Sequence, residues 1–266
     1  WIRNNTERWL SHGSLGLYDA VLASSERTRR TIARSVDVPT AVLPIGVDPD
    51  LFDPDECSAN RKPSLVATIN QWGNERRAFA TLAETDLSVP VGIFGVQHGL
   101  DGRLTGVQNG KVEFFEIASL YSEAMFVLDD QQETNQPFNN TNSRVFESIL
   151  MGAIPLTNTP PGPELVGLDA VPTWNDASDL SAVIGRLVND DRTRQELSER
   201  LQQSVRSHHT YVHRARAFDA FVEETIGLGE PVRETSRTIV GFWPDYRITN
   251  PFQDFLHAKL RDVGGV

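Results

Sequence analysis

A single cysteine, Cys57, occurs in 266 residues. One thiol forms neither an intrachain disulfide nor a cysteine-based zinc site, so packing and hydrogen bonds must hold the fold. No apolar run approaches the length of a bilayer span, and no charged-then-apolar segment opens the chain. Basic residues are the minority: 25 Lys and Arg against 36 Asp and Glu leave a net charge of −11. Such a chain is a poor candidate for wrapping nucleic acid and leaves room only for a local basic pocket. The G-x-G-x-x-G fingerprint is also missing, since the glycines at 95 and 99 have the wrong spacing. That disfavours a dinucleotide-dependent dehydrogenase. A soluble protein of a reducing, cytoplasmic compartment is the expectation.

The most informative stretch present is Asn139–Thr157. Thr141, Asn142 and Ser143 carry side-chain acceptors that can cap free N–H groups at a helix start. Val145, Phe146, Ile149 and Leu150 then recur at helical spacing. Gly152 sits where a helix end wants a left-handed residue, and Ala153–Thr157 reads as a short apolar strand. Polar loop, helix, glycine stop and buried strand make half of a doubly wound α/β unit. A polar loop feeding a helix N-terminus is suited to an anion. Arg144 and Glu147, three apart, share a helix face. One can meet a phosphate while the other accepts from sugar hydroxyls.

Ser143-Arg144-Val145-Phe146-Glu147 followed by Met151-Gly152-Ala153-Ile154-Pro155-Leu156 resembles the donor-binding segment of GT-B glycosyltransferases. The resemblance is strongest to the group 1 branch akin to the spore maturation protein CgeB. Many relatives carry two glutamates separated by seven residues. Glu147 matches the second, which in the family binds the nucleotide ribose, while the first falls on Asn139. The resemblance implies a Rossmann-like, doubly wound parallel sheet and a nucleotide-diphosphate sugar as donor substrate. It also implies a glycan or other acceptor, retention of anomeric configuration, and no metal.

Earlier in the chain, Tyr18–Ser25 reads as a buried strand, Glu26–Ser35 as a surface helix and Ala41–Ile45 as another strand. Gly46–Pro54 is turn-rich and should be an irregular connector. This order resembles the close of a GT-B N-terminal domain, so residues 1–57 are assigned to it. Residues 58–228 are assigned to the donor domain. Its first strand, Ser64–Ile69, ends in the polar turn Asn70-Gln71-Trp72-Gly73-Asn74-Glu75-Arg76-Arg77. Open α/β sheets place ligands at the C-terminal end of such a strand. In relatives this loop supplies basic groups to the diphosphate, which makes Asn70, Trp72 and either Arg76 or Arg77 donor-binding candidates. Val89–Val96 should be the next strand, Val112–Phe115 a short strand, Ala118–Glu123 a helix and Ala124–Asp129 a strand. Gln131–Asn140 reads as a mobile polar loop over the sugar, and Val171–Trp174 as a further short strand.

Helical period returns at Leu180, Val183, Ile184 and Leu187, and a charged helix covers Asp190–Ser207. His208 should begin a third helix, through about Ile226. Three histidines, at 208, 209 and 213, invite a metal reading, but no companion carboxylate or cysteine cluster supports it. Residues 229–266 read as a linker, a strand at Thr238–Asp245 and a capped helix, resembling the start of another transferase domain. Alternatively, that segment completes this unit's own sheet. The chain opens on Trp1 and closes on Asp262–Val266, so it is expected to be part of a longer polypeptide. A function of another class stays open beside transfer: a non-catalytic nucleotide-sugar-binding or scaffold module whose motif is degraded at Asn139. Whether Arg144 and Glu147 face a pocket with the Asn70–Arg77 loop separates the two.

Overall fold

The computed structural model describes residues 1–58, 61–71, 75–95 and 100–226; the strand and helix expected within 229–266 lie outside them. Two parallel sheets organise the chain. The smaller pairs β1 (Val21–Ala23) with β2 (Thr40–Val42), and Ile2 bridges to Ala23 on the opposite side of β1. Its helices are α1 (Thr6–Ser11) and α2 (Glu26–Ala33). Ser25 caps α2 by accepting from the Thr28 N–H.

The larger sheet has the order β4 (Val91–Phe94), β3 (Lys62–Thr68), β5 (Ala124–Asp129) and β6 (Ile154–Thr157), all parallel. Strand residues alternate between its two faces. Leu65, Ala67, Phe126 and Leu128 pack with α3 (Arg77–Glu84) and α6 (Ala177–Asn189). Val66 and Val127 pack with α4 (Ile117–Glu123), α5 (Ser143–Leu150) and α7 (Asp191–His208). Both faces are covered, so β5 is buried along its whole length. The fold is the expected α/β, doubly wound parallel sheet.

The expected helix–glycine–strand junction is present. Gly152 (φ 76°) donates to the Ile149 carbonyl and Ala153 to that of Ser148, which closes α5 in a Schellman turn. Val112–Phe115 is not a strand. The Glu113 N–H is caught by the Glu116 carboxylate at 3.1 Å, and Phe114–Glu116 forms a 3-10 turn leading into α4. Val171–Trp174 contributes only a bridge between Thr173 and Thr157. The third helix, α8 (Tyr211–Ile226), starts later than expected, because His209 breaks the chain after α7.

That break lets the chain cross back to the first unit. The connector and the crossover run side by side, with Val47 N–H on the His209 carbonyl and Tyr211 N–H on that of Val47. Arg214 donates to the carbonyls of Ile45 and His208 and to His209 Nδ1. A guanidinium only donates, so Nδ1 accepts, and Nε2 carries the proton toward the Val166 carbonyl. Burial holds His209 down at about 4, and the Arg214 charge adds to the shift.

The Gln131–Asn140 stretch, read as a mobile loop, is pinned to the first unit. Asn140 Oδ1 accepts from Ser24 (2.7 Å) and Thr28 (3.2 Å), while its Nδ2 donates to the Arg3 carbonyl. Ser25 Oγ donates to the Phe138 carbonyl at 2.6 Å. No helix among the described residues is long and apolar enough to cross a membrane.

Asn140→Ala removes the amide that joins Ser24, Thr28 and the Arg3 carbonyl, while Ser24 keeps the Arg3 carbonyl and Thr28 keeps Ser25, so it should destabilise the chain by about 1–2 kcal/mol in chemical denaturation. His209 predicts a pH dependence. Its folded pKa lies below the unfolded one, so the unfolded chain takes up the proton first as pH falls. The contribution, roughly 3 kcal/mol at most, is complete above about pH 6.5 and is lost toward pH 4. His209→Gln should flatten the stability slope across that window.

Candidate functional site

The chain leaves β3 through α3 to β4 on one side, then returns with β5 on the other. The crevice beyond the C-terminal ends of β3 and β5 is therefore the topological switch point. A cleft of roughly 160 Å³ lies there. Asn70 follows β3, Arg76 precedes α3, Asp130 and Gln131 follow β5, and Asn142 and Arg144 open α5. Asn4 reaches in from the first unit. The lining is carboxamides, guanidinium groups and one carboxylate, which suits a polyhydroxyl or phosphate ligand better than an apolar one.

Two buried carboxylates anchor this cleft. Alternation along β5 turns Asp129, with Val127, toward α5, and Asp130, with Leu128, toward α3. Asp129 accepts from Asn142 Nδ2 (2.8 Å) and Thr157 Oγ1 (2.9 Å), with Arg144 Nε at 3.6 Å. Asp130 accepts from Arg76 Nε at 2.8 Å and Asn158 Nδ2 at 2.6 Å. Arg76 Nη2 also donates to the Asp130 carbonyl. Burial raises the Asp130 pKa, against the pull of Arg76.

Asn142 occupies the N-cap position of α5, but its side chain turns to Asp129, and no side chain caps the first turn. Arg144 Nη1 is buried without a hydrogen-bond partner. One turn on, Glu147 is 9% exposed and lies beneath the cleft rather than lining it. Burial raises its pKa, opposed by a hydrogen bond from Ser143 and by the charges of Arg144 and Arg3. Tyr121, fully buried, bonds Thr68 and has its pKa raised by burial and by the Glu147 charge.

Of the residues singled out from sequence, Asn70, Arg76, Asn142 and Arg144 meet in the cleft, with Ser143 and Glu147 adjoining it. Three more, besides Ser143 and Glu147, do not line it. Arg77 is exposed, donates to the Asn175 carbonyl and sits 6.0 Å over the Trp174 ring. Asn139 adopts the left-handed conformation (φ 52°) and accepts from Arg27 at 3.2 Å. Thr141 is half-buried between Asn140 and Asn142. Trp72 lies outside the described residues. Sequence reasoning missed Asp129, Asp130, Gln131 and Asn4. The available signal was two acidic residues closing the otherwise apolar run Ala124–Leu128.

Arg76→Leu leaves the Asp130 carboxylate buried and unpaired, so it should cost about 3–5 kcal/mol. Adding Asp130→Leu should return part of that loss. Denaturation of both single variants and the double variant checks the coupling.

Residues 70–220, more than half of the chain, match the model of a family described as glycosyl transferase-like. No curated protein sequence matches. Among solved structures, sucrose-phosphate synthase from Thermosynechococcus elongatus superposes with a TM-score of 0.61 at 15% identity, covering 83% of this chain and 62% of that one. A glycosyltransferase from Rickettsia africae ESF-5 gives 0.63 at 12% identity, covering 85% and 69%. Anabaena HepE in complex with UDP and glucose gives 0.60 at 15% identity, covering 77% and 63%. The chain thus spans about six tenths of the length of the first of these. With its parallel sheet matching GT-B structures and its sequence matching the family model, the chain belongs to the glycosyl transferase-like family.

Proposed function

We propose that this chain is the donor-binding part of a nucleotide-sugar-dependent glycosyltransferase. The observation that carries the reading is the unpartnered, buried Nη1 of Arg144 at the uncapped start of α5, in a cleft almost without apolar lining. A phosphate oxygen supplies the acceptor that this group lacks. HepE, whose structures hold UDP, glucose or UDP-glucose, supports a ligand of that chemistry. Glu147, one turn deeper, would accept from the ribose hydroxyls. As the sugar leaves for a glycan or other acceptor, Arg144 and the α5 amides would stabilise the charge growing on the diphosphate. We read the transfer as retaining and metal-independent, with the leaving charge held by guanidinium and amide groups.

Within the family we place the chain in the CgeB-like branch, on Ser143–Glu147 and Met151–Leu156. Residues 1–57 would close an acceptor-side domain and 58–228 form the donor domain. Residues 229–266 would begin a further transferase domain of a cytoplasmic parent chain. A non-catalytic binding module is favoured by one observation: Asn139 holds Arg27 instead of presenting a carboxylate to the cleft. Release of free sugar or transfer product from a bound nucleotide sugar separates the two.

Calorimetric titration with UDP, GDP, ADP and dTDP tests the reading. One of them should bind, and Glu147→Ala should weaken it about ten- to hundredfold while the protein stays folded. Asn139→Ala should leave the affinity unchanged. Failure of the parent chain to bind any of the four would overturn the reading.

A further inference from the structure

Three carboxamides of the cleft have their orientations fixed by neighbours of fixed polarity. Asn135 Oδ1 accepts at 3.3 Å from the backbone N–H of Asn5, which can only donate, so Asn135 is left with its Nδ2 donor. Gln131 Nε2 donates to the Asn140 carbonyl and Asn142 Nδ2 to the Asp129 carboxylate, so each of these is left with its oxygen. Among the described residues, Nδ2 of Asn135, Oε1 of Gln131 and Oδ1 of Asn142 have no partner, and none of the three is sealed from solvent. All three residues line the cleft, and Asn135 and Gln131 are each only 3% exposed. The backbone behind them is held as well. The Gln131 N–H donates to Asn158 Oδ1 at 2.8 Å, its carbonyl accepts from Gln136 Nε2 at 2.9 Å, and the Asn135 N–H donates to the Gln132 carbonyl at 2.8 Å. This wall therefore presents one fixed donor and two fixed acceptors. An anionic oxygen only accepts and would leave Gln131 and Asn142 unsatisfied, whereas hydroxyl groups donate and accept. The wall has no cation to spare for a carboxylate either, because Arg76 is spent on Asp130.

We infer that Asn135, Gln131 and Asn142 read hydroxyl groups of the transferred sugar and select a neutral hexose over a hexuronate, with Asn135 the specificity-determining donor. The inference rests on the donor-site reading above and adds to it the class of sugar. A sugar carboxylate would give up its water to face the oxygens of Gln131 and Asn142, with the Asp129 carboxylate directly behind Asn142. A hexose instead supplies both the acceptor that Asn135 lacks and the donors that the two oxygens lack. Sites built to hydrogen-bond a substrate hydroxyl discriminate well, because a wrong group leaves the site's own polar atoms unpaired.

The test is calorimetry of the full chain with UDP, its glucose, galactose and mannose conjugates and UDP-glucuronate, and with the GDP, ADP and dTDP sets in parallel. For the base that binds, the best hexose conjugate should bind at least about tenfold more tightly than the hexuronate. Asn135→Asp keeps an oxygen for the Asn5 N–H and replaces the donor with an acceptor, so it should weaken the hexose conjugate about tenfold. Asn135→Ala removes the donor without adding charge, and the exposed Asn5 can turn its N–H to water. It should weaken the hexose conjugate about fivefold and leave the free diphosphate unchanged. Thermal melting confirms that each variant is folded. A hexuronate that binds as tightly as the hexose overturns the inference, as does a hexose affinity that neither variant changes. Equal loss of diphosphate and hexose conjugate in Asn135→Ala would show that Asn135 only shapes the loop. Each of these results leaves the donor site standing. If no diphosphate binds the parent chain, the sugar subsite falls with the donor-site reading.

Discussion

Two adjacent buried carboxylates at the end of β5 set the terms for the larger unit. Each costs several kcal/mol to bury unless it is paired and hydrogen-bonded. Strand alternation sends them to opposite faces, so one helix start cannot serve both. Asp130 draws in the residue before α3, through Arg76. Asp129 draws in the start of α5, through Asn142 and Arg144, and the end of β6, through Thr157. Three strand–helix junctions are thereby fixed around one point. The same point is the switch in strand order, where the chain geometry leaves a crevice in any case. Satisfying the carboxylates and building a polar cleft are one structural event.

Much of the fold was legible because its signals are local. Helical spacing from Val145 to Leu150, with a glycine at position 152, was enough to specify α5 and its Schellman end. The apolar run Ala124–Leu128 was enough for a strand buried on both faces. Side-chain assignments were less legible, because they depend on partners distant in sequence. Asn142 has every attribute of a cap, yet the stronger demand of a buried carboxylate thirteen positions earlier takes its amide. Arg76 and Arg77 are indistinguishable as letters. The first turn of α3 places one against Asp130 and the other over Trp174. Asn4 carries no local signal, since the cleft it lines is built from residues far along the chain.

The two units also share their polar groups at the boundary, which limits how independently they can move. Asn140 joins β1 and α2 to the loop before α5. The connector at Val47 and the crossover at His209–Tyr211 are joined by backbone hydrogen bonds, with Arg214 across them. Gly46 fits closely there: a Cβ would lie 3.0 Å from the His209 carbonyl and 3.1 Å from the Tyr211 ring. Both covalent links between the units therefore pass through one tightly packed place. A rotation of one unit on the other would turn about it and be felt at the cleft, which Asn4 and Arg144 both line.

Net charge alone says little about what such a cleft binds. Arg76 and Arg144 are balanced by Asp130 and Asp129, and the chain as a whole carries −11. An anion approaching from solution meets no favourable long-range field, and at physiological salt the field of distant charges fades within about 8 Å. Selectivity must then come from donors whose hydrogen bonds are unspent. Arg76 commits Nε and Nη2 to Asp130 and so serves the scaffold. Arg144 keeps a buried Nη1 without an acceptor. A buried donor without a partner costs roughly 1–3 kcal/mol, and more when it is charged. A phosphate that supplies the missing acceptor relieves that penalty as it binds. Under the donor-site reading, that relief is what a polar hollow with every donor satisfied would not offer.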